Sequence, residues 1–153
     1  MRFIIGFTIA VLVLIPFGLS KPPTTFCDLM RNPEKYSGKE VTVRATWRYG
    51  FEWSQFYCID CSLKEMTWLD VSSELDDASN RVLKRIPRGA GIVNITVQGT
   101  FRSGGHFGHM DGYPYQFTAR KVSNIAVVSK GMKALSEEQE AEKRWACGGS
   151  NPK

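Results

Sequence analysis

Histidine is nearly absent from this chain. There are 2 among 153 residues, His106 and His109, so any mechanism that needs an imidazole base runs through one short segment. No Gly-x-Ser-x-Gly turn presents a serine nucleophile, and no glycine-rich phosphate loop is present. No pair of carboxylates stands out as an acid–base couple. There is no internal repeat, which removes solenoids and propellers. Charge of one sign is also in short supply: 20 Lys and Arg against 15 Asp and Glu leave a formal charge of +5. The bases are dispersed apart from Arg81, Lys84, Arg85 and Arg88, so composition does not indicate a nucleic-acid partner.

Long apolar runs are missing except at the start. Met1-Arg2 leads into Phe3 to Ile15, broken only by Gly6 and Thr8, and Pro16, Gly18 and Ser20 end the run with small-x-small spacing. This predicts a secretory signal over residues 1–20, cleaved after Ser20. The competing reading is an uncleaved anchor, but the run is short for a span of about 20 residues and Pro16 interrupts it. No cysteine follows at once, so a lipid-anchored start is not expected. Cleavage leaves about 133 residues with a formal charge of +4, enough for one domain with its own core. No stable membrane span is expected after cleavage.

Cys27, Cys58, Cys61 and Cys147 remain. In an exported protein an even count points to disulfides, and four cysteines allow three pairings. Cys58-Ile59-Asp60-Cys61 is half a zinc site; no second such pair follows, and only His106 and His109 are left to complete it. A thioredoxin-type reading needs the motif at the start of a helix in a βαβ unit, whereas aromatic, strand-like residues precede it here. Structural disulfides are therefore the expectation.

Thr24 to Arg31 reads as a short helix with a Thr cap, stopped by Asn32-Pro33. Tyr36-Ser37-Gly38-Lys39 is a turn. Glu40 to Tyr49 alternates: Val41, Val43, Ala45 and Trp47 share one face, Thr42, Arg44, Thr46 and Arg48 the other. One apolar and one solvated face suit an antiparallel sheet. Aromatic residues predict a second strand over Phe51 to Tyr57, and Met66 to Val71 a third. Ser72 or Ser73 caps an expected helix over Glu74 to Arg85, with Leu75, Ala78, Val82, Leu83 and Ile86 on its buried face and Glu74, Asp76 and Asp77 at the positive end of its dipole. The basic cluster in its last turns complements that dipole. Ile92 to Phe101 is a long strand, Arg102 to Pro114 a glycine-rich loop, and Tyr115 to Val128 a last strand bent near Ser123-Asn124. The tail reads as an amphipathic helix with a capping box at Ser136 and Gln139 and Trp145 near its end.

The order is β-β-β-α-β-β. The expected fold is therefore mainly β: a five-stranded, OB-fold-like Greek-key barrel over residues 21–129, with a short N-terminal helix and a helical tail at 130–153.

Four segments also carry a resemblance. They are Cys27-Asp28-Leu29; Asn32-Pro33-Glu34-Lys35-Tyr36-x-Gly38-Lys39-x-Val41-x-Val43; Tyr49-Gly50-Phe51-Glu52; and Gly108-His109-Met110-x-Gly112-Tyr113-x-Tyr115-Gln116-Phe117. Together they resemble a set of small exported bacterial proteins of uncharacterised function that look OB-fold-like. The resemblance covers roughly residues 26–128. It implies the fold and the compartment and brings no activity. It also implies a pairing, since such proteins carry one cysteine before the first strand and one near the end of the second. Those match Cys27 and Cys61, leaving Cys58 to pair with Cys147.

The candidate contact surface joins the loop between the first two strands, Arg48, Tyr49, Phe51, Glu52 and Trp53, to the loop between the last two, His106, His109 and Tyr113. In an OB-fold these loops frame the ligand face. The two histidines with Asp111 have the ligand types of a zinc or copper site, but glycines around them fix neither ring. A Glu52–His pair is suited to acid–base work or to a salt bridge that pins the loops. Trp47, Tyr49, Phe51 and Trp53 with Arg44 and Arg48 have the makeup of a single-strand stacking platform. Asn94-Ile95-Thr96 is a glycosylation sequon placed mid-strand. The leading expectation is a non-enzymatic binding or interaction module without cofactor, metal or catalytic residue, whose partner is an unknown protein or envelope component. The alternatives are a metal-binding protein or hydrolase using Glu52, His106 and His109, and a structural protein of the cell envelope.

Overall fold

The computed structural model describes residues 24–61, 66–71, 75–131 and Cys147. The expected signal segment and tail helix, with Ser136, Gln139 and Trp145, lie outside the described residues, as do Ser72 and Ser73. Among the described residues no helix is long and apolar enough to cross a membrane.

The first helix is α1, Phe26–Arg31. Thr25 caps it: the Asp28 N–H donates to Thr25 Oγ1 at 3.0 Å and the Thr25 hydroxyl donates back to the Asp28 carboxylate at 2.7 Å. Pro33 does not end helical structure altogether. It opens a single further turn, α2, Pro33–Tyr36, at a position where its missing N–H costs nothing. Gly38 then takes φ +75°, which suits glycine, and the chain enters the sheet.

The strands are β1 (Glu40–Tyr49), β2 (Ser54–Tyr57), β3 (Thr67–Asp70), β4 (Gly91–Phe107) and β5 (Tyr113–Lys130), with α3 (Asp77–Leu83) between β3 and β4. They form one mixed sheet ordered β1-β2-β3-β5-β4, in which β4 also pairs with β1, so the pairings close into a ring. All pairs are antiparallel except β3 with β5. β1 has the expected bounds because its alternation is regular. Val43, Ala45, Trp47 and Tyr49 are buried, as are Val93, Ile95 and Val97 from β4. Phe26 of α1 meets Phe56 edge-on at 5.3 Å, and Phe56 meets Phe117 at 5.5 Å. Burying each such ring is worth roughly 1.5–3 kcal/mol, so α1 is held on the sheet by its apolar face.

Several expectations are corrected. The second strand begins at Ser54 rather than Phe51, because Phe51 is 98% exposed and makes no core contact. α3 starts at Asp77, capped by Asp76, whose Oδ1 accepts the Ser79 N–H at 2.7 Å. Its buried residue is Ser79, while Ala78 is exposed. The hydroxyl explains this: Ser79 Oγ accepts the Val122 N–H at 2.8 Å. β3 pairs with β5 only from Tyr115 to Thr118, so Val122 has no strand on that side and the helix supplies its acceptor. The stretch Arg102 to Phe107 is strand rather than loop. The glycines are absorbed by a register shift between Ser103 and Phe107, with Gly104 at φ +72°. β5 does bend where expected: Asn124 has φ +51° at a register shift opposite Asn94 and Thr96, and Asn tolerates that region better than most residues.

The cysteines form two bridges, Cys27–Cys61 with Cα atoms 5.2 Å apart and Cys58–Cys147 at 6.1 Å. These are the pairs that the resemblance implied.

Candidate functional site

The β1–β2 turn is built by close packing onto glycine. A Cβ on Gly50 would lie 1.9 Å from Trp53 Nε1, so only glycine lets the indole fold back over the turn. The Gly50 N–H donates to Trp53 O at 3.0 Å. The Arg48 guanidinium stacks 5.6 Å from the Trp53 ring, a cation–π contact worth roughly 0.5–1 kcal/mol in a partly exposed setting. Trp53 Nε1 is buried and has no hydrogen-bond partner among the described residues. Behind this turn Tyr49 is buried, its hydroxyl donating to Pro87 O at 2.8 Å, and burial pushes its phenol above the ordinary value. Trp47 is buried too, its Nε1–H donating to Ser54 Oγ at 2.9 Å while Ser54 donates to Leu69 O. Tyr49 and Trp47 are therefore core, and the stacking row expected from Trp47, Tyr49, Phe51 and Trp53 is reduced to its last two members. The gap among Arg48, Tyr49, Trp53 and Gly91 is about 10 Å³, room for about one water. The turn offers a protruding surface, with Phe51 98% exposed, rather than a pocket.

The β4–β5 tip is a second locus. Gly108 sits on Trp68, where a Cβ would come within 2.4 Å of the indole, and Tyr113 meets Trp68 edge-on at 5.2 Å. Met110 and Asp111 both take left-handed backbone, φ +54° and +56°, and Met110 is 86% exposed. Non-glycine residues there carry strain of order 1 kcal/mol each, so the tip holds an apolar side chain outward at a cost. His106 and His109 are exposed.

The structure does not bring Glu52 to the histidines. β1 ends beside the beginning of β4, Tyr49 opposite Gly91, whereas the tip lies at the far end of β4 and leans on β3. No side-chain hydrogen bond or ion pair joins Glu52, His106 or His109 to a described residue. Among the described residues, the clusters that could hold a metal are made of cysteines with Asp60 and contain no histidine. The Glu52–His106–His109 centre and the loop-pinning salt bridge are thus both corrected. Asn94 is 2% exposed and accepts from Thr46 Oγ1 at 3.0 Å, which puts the sequon out of reach in the folded chain.

Sequence reading missed a third locus. A cavity of about 140 Å³ is lined by Thr24, Thr25, Thr42, Val43, Arg44, Thr96 and Cys147, and Thr96 Oγ1 is buried there without a partner among the described residues. Its lining comes from four separate stretches of chain, and no local motif marks it. Compared with known proteins, the chain matches no family model, no curated protein and no solved structure at a significant level.

Proposed function

We propose that the protein is an exported bacterial binding module that works by surface contact and not by catalysis, with the β1–β2 turn as its principal contact element. The observation that carries this reading is the full exposure of Phe51 on a turn otherwise fixed by the Gly50–Trp53 packing and the Arg48 stack. A rigid turn that presents one large apolar ring spends little ordering entropy on binding, and aromatic side chains beside arginine are the usual anchors of interfaces. Met110 at the other tip extends the same character. The fold proposed is an OB-like Greek-key barrel, supported by the ring order, the parallel β3–β5 pair and the helix between β3 and β4. Export is supported by the two bridges, which persist in oxidising compartments, and by the apolar segment before Ser20. The partner is a protein or another envelope component.

Affinity capture from the envelope of the source cell, run side by side with wild type and Phe51→Asp, tests the reading. Phe51 touches no core, so the variant keeps its stability within about 0.5 kcal/mol. The expected result is a component recovered by wild type and lost with Phe51→Asp. Equal recovery by both, or nothing above background with wild type, would overturn the assignment.

A further inference from the structure

The two bridges form one cluster of sulfurs. The Cys27, Cys58 and Cys61 sulfurs lie within 4.8 Å of one another, and Cys58, Cys147 and the Asp60 carboxylate form a second group within the same distance. Cys58 belongs to both groups, so each bridge has the other's sulfur as a neighbour. The backbone also suits a pairing the structure does not use. The Cys61 N–H donates to Cys58 O at 3.2 Å, closing a four-residue turn of the kind that keeps its end Cα atoms within about 7 Å. Disulfides span Cα separations of about 4.4–6.8 Å. Access to the cluster is uneven. Cys58, Cys61 and Cys147 are 4%, 5% and 3% exposed, while Cys27 is only half-buried.

We infer that these four cysteines form a thiol–disulfide exchange site whose initiating ligand is a small monothiol entering at Cys27. The thiolate attacks Cys27 Sγ, breaking the Cys27–Cys61 bond and leaving a mixed disulfide on Cys27 and a thiolate on Cys61. That thiolate attacks the neighbouring Cys58 Sγ, forming Cys58–Cys61 and expelling the Cys147 thiolate. Cys147 then attacks the mixed disulfide at Cys27, forming Cys27–Cys147 and returning the monothiol. Two bridges exist before and after, no electrons are gained or lost, and the monothiol acts as a catalyst. Exchange proceeds by direct attack of thiolate on disulfide sulfur, so proximity is the requirement, and the cluster meets it for the middle step. Asp60 Oδ2 lies 4.0 Å from Cys58 Sγ. A negative carboxylate there repels the incoming Cys61 thiolate, so Asp60 restrains the exchange. The exchange moves the anchor of α1 from Cys61 to Cys147 and leaves Cys58–Cys61 as a self-contained loop.

The covalent sequence gives a clean readout. Trypsin leaves Cys27, the Cys58/Cys61 pair and Cys147 on three different peptides. The pairing in the structure holds all three peptides together. The exchanged pairing splits them into one peptide with an internal bridge and one two-peptide species. The oxidised full-length mature protein is incubated anaerobically with substoichiometric glutathione at mildly alkaline pH, quenched in acid, and mapped without reduction. The expected result is growth of the split species with no change in total thiol, at a rate raised several-fold by Asp60→Asn. In Cys58→Ser/Cys147→Ser the Cys27 peptide stays joined to the Cys61 peptide in the recovered disulfide pool. Persistence of the three-peptide species alone in wild type would overturn the inference. So would a statistical mixture of all three pairings, which reports unfolding, or an Asp60→Asn rate equal to wild type. The wild-type and Asp60→Asn arms decide the matter even where the double serine variant does not fold.

Discussion

Ser79→Ala removes the hydroxyl that ties α3 to the last strand. α3 has 7 residues, and a helix of that length is marginal on propensity alone. Beside the packing of Val82 and Leu83 on the core, it is tied to the sheet by the 2.8 Å bond from the Val122 N–H to Ser79 Oγ, and both residues are buried. Val122 faces Val97 of β4 on its other side, while β3 reaches only as far as Thr118 along β5. Without the hydroxyl the buried Val122 N–H loses this acceptor. A buried donor left unsatisfied costs about 1–3 kcal/mol, and the higher helix propensity of Ala returns about 0.5 kcal/mol. The net expectation is a loss of about 1–2 kcal/mol. With a urea slope of about 1–3 kcal/mol per molar and both disulfides intact, the midpoint falls by roughly 0.5–1 M at unchanged slope. Ser79→Thr, which keeps the oxygen, falls by less, and amide exchange at Val122 accelerates in Ser79→Ala alone. If Ser79→Ala unfolds within 0.5 kcal/mol of wild type and Val122 stays equally protected, the reasoning about the uncovered flank of β5 is wrong.

Gly99→Ala places a Cβ 2.0 Å from Thr118 O and 2.9 Å from the Phe117 ring; an overpacked site against backbone costs about 3 kcal/mol or prevents folding, read as lost soluble yield or a lowered thermal midpoint. Cys27→Ala/Cys61→Ala and Cys58→Ala/Cys147→Ala open loops with separations of 34 and 89 residues; loop-closure entropy puts the losses near 4 and 4.5 kcal/mol, so chemical denaturation should rank the second pair as the more damaging. Asp28 and Asp76 are held below the usual carboxylate value, first of all by hydrogen bonds from Thr25 and from Ser79. A lowered folded value contributes stability that is present above the unfolded carboxylate pKa, about 3.9, and is lost as pH falls through the folded value. Asp76→Ala therefore destabilises at pH 6 and has a shrinking effect toward pH 2, measured by urea midpoints across that range.

How much was legible depended on whether the signal was local. β1 was read to its terminal residues, because ten positions alternate without interruption. A threonine cap for α1 was legible from Thr24-Thr25 before the apolar residues, and the structure uses Thr25. The hairpin beyond Phe101 was not, since Gly104 and Gly105 look like loop until a partner strand shows that a register shift accommodates them. Ser79 carries no sequence signal for a related reason: helical periodicity sorts residues by apolarity, and this position is buried for its oxygen. Of the candidate site, the residues of both loops were named, but their placement follows from register, with Tyr49 opposite Gly91 and Gly108 on Trp68. Spacing alone left all three cysteine pairings open. The threonine-lined cavity drew on segments too far apart in sequence to be seen.

The parallel pair of β3 with β5 has a kinetic consequence. It is four residues wide, Thr67 to Asp70 against Tyr115 to Thr118, and all of α3 and β4 lie between its halves in the chain. The β1–β2 and β4–β5 hairpins form from neighbours, while this seam waits for a long loop to close, the slow step for non-local strands. Parallel pairing is also slightly weaker per residue. The ring is therefore expected to zip shut last at the β3–β5 seam and to breathe there first, with Trp68 and the β4–β5 tip that leans on it riding on the edge that opens.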